Sequence, residues 1–230
     1  MQLGNKILLT ALFAFFLAPS LTPAASAAED KERVLRKLDA AAASFHATSA
    51  DFQFETVQTD PIPDKDVMKG TAYYERKGTT FRMAAHIREK NGRAHEIVYV
   101  YSGGALKYYD SLSGQTKVLA KASSYESYLM LGFGASGKEL EEKWDIKYLG
   151  EEMLSGVQTE KLELVAKDPS VRKNIPKVII WVDSERGVSL KQHFDEGAGT
   201  YRDCFYSNFK INQSLPSDAF VIKTDSKTVR

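Results

Sequence analysis

Cysteine is nearly absent. Cys204 is the only one in 230 residues, which excludes an internal disulfide and any C-x-x-C redox or zinc site. An excess of charge is missing too. The chain has 31 Lys and Arg against 30 Asp and Glu, and setting Lys6 aside with the leader described below leaves 30 of each. Nothing here gives a nucleic-acid footprint or a polybasic membrane patch. The four histidines, His46, His86, His95 and His193, have no metal-ligand spacing, and there is no H-E-x-x-H and no G-x-S-x-G elbow. No metal, cofactor or catalytic residue is therefore expected, and an enzyme is not the expected reading. No internal repeat, low-complexity tract or long linker divides the chain.

Long apolar runs are also lacking, with one short exception. Ile7 to Ala18 is apolar apart from Thr10, too short for the ~20 residues a spanning helix needs. It follows Lys6 and precedes Pro19, Pro23 and a run of small residues in which Ala25-Ser26-Ala27 fits the A-x-A cleavage pattern. Residues 1–27 are thus expected to be a secretory signal peptide, cleaved near Ala28, with 28–230 as one exported, soluble domain. No cysteine stands at that cleavage site to carry a lipid, so a free protein is expected, not a tethered one. Cys204 is expected to be a buried small hydrophobe on a strand.

Residues 30–46 predict an amphipathic helix, with Val34, Leu38, Ala41 and Phe45 at helical spacing. Pro19 and Pro23 are expected to end any helix before it. The period then changes to two. Phe52 and Phe54 alternate with charged and polar neighbours, and Phe81, Met83, Ala85 and Ile87 make the clearest strand. Asn91-Gly92 marks a hairpin turn. Further strands are expected over 70–76, 95–101, 106–110, 116–119, 144–149, 157–166, 178–183, 190–194 and 201–211. Ten or eleven strands with short connections and no strand–helix alternation predict a mainly β (α+β) antiparallel meander.

The strands are interrupted once. Ser123 and Glu126 have capping-box spacing and predict a short apolar helix containing Leu129, Met130 and Leu131. Gly132 to Lys138 then has the G-x-x-x-x-G-K spacing of a phosphate loop, but Glu139 stands where Ser or Thr would bind magnesium, and the segment follows a helix. A flexible glycine segment, able to act as a hinge, is the better expectation. The pairs Glu141-Glu142 and Glu151-Glu152 read as solvated charge, not converging carboxylates.

Ala50-Asp51-Phe52-Gln53 after the helix, Gly70-Thr71-Ala72-Tyr73-Tyr74-Glu75-Arg76, Phe81-Arg82-Met83 and Tyr101-Ser102-Gly103-Gly104-Ala105-Leu106 together resemble the LolA-type outer-membrane lipoprotein carriers of the LolA/LolB superfamily. The resemblance extends over the last strands, 178–183 and 205–212, to Phe220. It implies a half-open antiparallel β-barrel whose N-terminal helix and short inserted helix form a lid over an apolar cavity. The implied function is a periplasmic chaperone, expected to be a monomer, that buries acyl chains of lipoproteins between the inner and outer membranes. Its implied partners are acylated lipoproteins or lipids, an inner-membrane release complex and an outer-membrane acceptor. A carrier of free lipid, or an envelope sensor or interaction domain, are alternatives on the same fold. For acyl-chain binding the expected residues are Phe52, Phe54, Phe81, Met83, Ile87, Leu129, Leu131 and Phe133. Arg76 stands where the family has an arginine that holds the lid closed. Burial of acyl chain is worth ~0.8 kcal/mol per methylene, so a sixteen-carbon chain exposes roughly 12 kcal/mol of unfavourable surface unless covered.

Overall fold

The computed structural model describes residues 23–78, 80–122, 126–222 and 228–229. The expected signal peptide lies outside the described residues except for its last few positions. There α1 (Pro23–Ser44) is already helical, seven residues earlier than the period indicates. Pro23 does not end this helix but opens it, because the first helical position has no intrahelical use for an N–H. No helix among the described residues is long and apolar enough to cross a membrane.

Eleven strands follow the sequence pattern, six before the interruption and five after it. The first block is β1 (Ala47–Gln58), β2 (Asp64–Lys77), β3 (Thr80–Lys90), β4 (Arg93–Ser102), β5 (Ala105–Asp110) and β6 (Gln115–Leu119). Two short helices come next, α2 (Glu126–Leu129) and α3 (Gly137–Lys143). The second block is β7 (Trp144–Leu154), β8 (Val157–Ala166), β9 (Lys177–Asp183), β10 (Val188–Gly197) and β11 (Thr200–Ile211), with α4 (Pro169–Asn174) between β8 and β9. A two-residue β12 (Thr228–Val229) runs parallel to β6. All other ladders among the described residues are antiparallel.

The strands form one sheet in the order β12-β6-β5-β4-β3-β2-β1-β11-β10-β9-β8-β7. Each block is a meander of hairpins. The blocks are joined by β1 pairing with β11, with Phe52 opposite Tyr206 and Phe54 opposite Cys204. The two ends of the order do not pair, so the sheet is half-open.

Period-two alternation splits the sheet into two faces. On one face Val34, Leu35 and Leu38 of α1 pack with Phe45, Tyr74, Tyr101, Trp144, Leu162 and Ile180 in the main core. On the other, Tyr73, Ala84, Val98 and Val100 are covered by Leu215, Ala219, Phe220 and Ile222 after β11. Tyr73 and Tyr74, adjacent in sequence, therefore serve different cores. Arg33 fastens α1 to the second block: its Nη1 donates to Glu160 Oε1 on β8 at 2.6 Å, and the Tyr148 hydroxyl donates to the other oxygen at 2.9 Å.

The glycine segment is packed, not a hinge. Gly134 has φ +69°, and a Cβ there would lie 2.1 Å from the Phe45 ring. Backbone bonds from Ser189 N to Gly132 O and from Gly134 N to Gly187 O tie the segment to the second block. The capping box there belongs to Ser136 and Glu139, which exchange hydrogen bonds and start α3. The Ser123–Glu126 box expected from the sequence lies outside the described residues at Ser123. Glu141 and Glu142 are on α3 and not on a strand.

Candidate functional site

The concave face of the sheet holds an apolar cavity of about 430 Å³ between the two blocks. Its walls follow the ladder registers. Phe52, Phe54 and Thr56 of β1 stand opposite Tyr206, Cys204 and Arg202 of β11, and Gln192 and Phe194 of β10 stand opposite Cys204 and Arg202. On the other side, Ala72 and Tyr74 of β2 pair with Ala85 and Met83 of β3, and Ala85 pairs in turn with Tyr99 of β4. Met68, Ile87 and Leu106 complete the walls, and α2 contributes Leu129. One face of these strands thus lines one space, because residues two apart on every strand point the same way.

Of the residues expected to bind acyl chains, Phe52, Phe54, Met83, Ile87 and Leu129 line this cavity. Phe81, Leu131 and Phe133 do not; they are buried in the core beside it. Phe133 stacks on Tyr74 at 3.8 Å between ring centroids and meets Tyr206 edge-on at 4.8 Å. It therefore packs directly against two lining residues. Sequence reasoning missed the β10 and β11 wall. The alternation Arg202, Cys204, Tyr206 was available there, but polar Arg202 and Gln192 interrupt the apolar pattern that drew attention to β1 and β3.

Burial governs the titratable groups of the cavity. It pushes the Cys204 thiol up to about 12 and raises the hydroxyls of Tyr74 and Tyr206 above the usual tyrosine range. The lining is uncharged apart from Arg202. Among the described residues no group of three or more His, Cys, Asp or Glu side chains is arranged to hold a metal ion.

Three polar contacts stitch the α2–α3 segment to three different strands. The Tyr101 hydroxyl of β4 donates to Glu126 at the start of α2. Gln192 Nε2 of β10 donates to the Leu131 carbonyl. Arg76 of β2 meets Glu139 of α3 through both terminal guanidinium nitrogens, Nη1 and Nη2, each at 3.1 Å. Arg76 thus reaches the inserted segment through a carboxylate and not through lid backbone. Burial alone would raise Glu139, but the Ser136 amide and the Arg76 guanidinium outweigh it and hold the carboxyl below its usual range.

No protein-family model and no curated protein sequence matches this chain. Solved structures do. An uncharacterized conserved protein from Thermus thermophilus aligns over 87% of this chain and 99% of its own, at 13% identity and a TM-score of 0.56. The Pseudomonas aeruginosa MucA/MucB complex contains a chain that aligns over 87% of this one at 16% identity and a TM-score of 0.50, of which this chain spans 64%. A LolA superfamily protein from Nitrosomonas europaea aligns more loosely, over 84% of this chain and 97% of its own, at 16% identity and a TM-score of 0.42. At such identities a likeness speaks for fold alone, and the fold shared with the Thermus thermophilus protein is a half-open antiparallel sheet.

Proposed function

We propose that this protein is an exported carrier that shelters acyl chains in its concave cavity, with lipoproteins moving from the inner to the outer membrane as cargo. The observation that carries the reading is the cavity itself, an apolar space on one face of the sheet with Leu129 of the inserted segment on its wall. A fully packed core would have no need of such a space, and covered acyl chain is what an aqueous crossing requires. The stitches from Tyr101, Gln192 and Arg76 give the inserted segment a closed resting state that cargo has to displace. A carrier must release as well as bind, and competition between lid contacts and cargo supplies that balance. An inner-membrane release complex and an outer-membrane acceptor are the partners this role demands.

The test is extraction. Purified protein mixed with inner-membrane vesicles is expected to bring triacylated lipoprotein into the soluble fraction. Leu129→Asp, which puts a charge on the cavity wall, is expected to lower that yield several-fold. Vesicles that lose no lipoprotein to the wild-type protein would overturn the cargo assignment.

One observation favours a free lipid as the alternative cargo. A volume of about 430 Å³ falls in the range of single small-molecule sites, roughly 300–1,000 Å³, whereas a lipoprotein presents three chains. Mass spectrometry of whatever co-purifies with the exported protein separates the two readings.

A further inference from the structure

The cavity is apolar on nearly every side, yet a permanently charged side chain borders it. Arg202 projects from β11 between Thr56 and Phe194 and lines the cavity with them. Its Nη2 is paired with Glu196. Its Nε is different: among the described residues it is the one buried side-chain polar atom without a hydrogen-bond partner. The guanidinium centre lies 5.9 Å from the centroid of the Phe54 ring, another lining residue. Arginine cannot shed its proton to escape this position. A buried donor left unused is a cost that a bound acceptor removes.

The nearby carboxylates leave that donor to a ligand. Glu55 and Asp203 neighbour Thr56 and Arg202 in sequence and so point to the opposite face of the sheet. There Glu55 pairs with Lys65, and Asp203 with His193 and Lys191. Among the described residues Glu196 alone forms an ion pair with the guanidinium, and it does so through Nη2.

We propose that the cavity takes a single-chain amphiphile with an anionic oxygen head, a fatty acid carboxylate being the simplest, with its head on Arg202 and its tail among Phe52, Phe54, Met83 and Leu129. This rests on the free-lipid reading of the cavity and specifies the head group. A carboxylate accepts a charge-assisted hydrogen bond from Nε, which a hydroxyl or ester accepts more weakly. The volume suits one chain.

Calorimetric titration with tetradecanoate, tetradecanol and methyl tetradecanoate at neutral pH tests this. The wild-type protein is expected to bind the carboxylate about tenfold more tightly than either neutral compound, the scale of one charge-assisted hydrogen bond. In Arg202→Gln that preference falls to about unity. Glu196→Gln leaves the fold's apolar contacts intact and frees the guanidinium, so the preference is expected to rise, which keeps the proposal testable if Arg202→Gln fails to fold. Equal binding of all three compounds by the wild type, or a preference that survives Arg202→Gln, overturns the head-group assignment alone. No binding of any of the three overturns the acyl-chain reading with it.

Discussion

Two side chains carry their chemistry in their surroundings. Cys204 sits on the cavity wall with its thiol pushed up to about 12 by burial, and the thiolate is the reactive form. Iodoacetamide is therefore expected to leave the folded protein unlabelled at mildly alkaline pH and to label it fully in urea, read by intact mass. Asp110 at the end of β5 is the opposite case. His95 Nε2 at 2.9 Å is the largest influence, and burial acts against it; the Leu112 amide and the Tyr108 hydroxyl add further hydrogen bonds. Together they lower the Asp110 carboxyl from 3.8 to about 2. A depressed carboxyl stabilises the fold above its unfolded value and loses that contribution as pH falls through the folded one. Asp110→Asn is expected to cost about 2 kcal/mol at pH 7. The gap to wild type should narrow from about pH 4 down to about pH 2. Chemical denaturation at several pH values checks both the size and the sign.

Strands were easy to read from the chain because half-burial leaves a period of two, and every expected strand has its counterpart from β1 to β11. Helices were harder. The interior of α1 is amphipathic and was legible, but its start was not, since the residues from Pro23 are small and carry no apolar stripe. In α3 and α4 there are seven and six residues, fewer than two full turns, too few to establish a helical period. The cavity was half legible for a related reason: alternation marks the inward face of a strand but does not distinguish packed Phe81 and Phe133 from lining Phe52 and Phe54. The glycine run misled because backbone freedom and close approach call for the same residue. Gly134→Ala meets both a left-handed backbone and the Phe45 ring, so a loss of about 2–4 kcal/mol is expected. Gly156→Ala has φ +79° and open space around it, so about 1 kcal/mol of strain alone is expected. Urea unfolding of the pair separates crowding from conformation. On α1, Arg33→Ala leaves the buried Glu160 without its cation and is expected to cost about 2 kcal/mol, measured the same way.

Taken whole, the molecule is two meanders held together by α1, by the stitched α2–α3 segment and by the β1–β11 ladder. The Arg76–Glu139 contact bridges the first meander and the inserted segment, so Arg76→Ala is expected to change ligand exchange more than stability. The contact is partly exposed, and a loss of about 1 kcal/mol is the ceiling expected from its removal. If Arg76 gates the cavity, stopped-flow uptake of a fluorescent fatty acid should quicken in that variant; an unchanged rate would remove Arg76 from the gating role. Glu139 is held below its usual range, so the wild-type contact persists above that range and weakens as pH falls beneath it. The β1–β11 ladder has a consequence in time. It brings together residues such as Thr48 and Lys210, 162 positions apart along the chain, and such distant pairings form late in folding. Synthesis delivers the first wall of the cavity long before the second, so no binding space exists until β11 has arrived. A chain that crosses a membrane unfolded would lose nothing by this delay, and a lipid met too early would find nowhere to lodge.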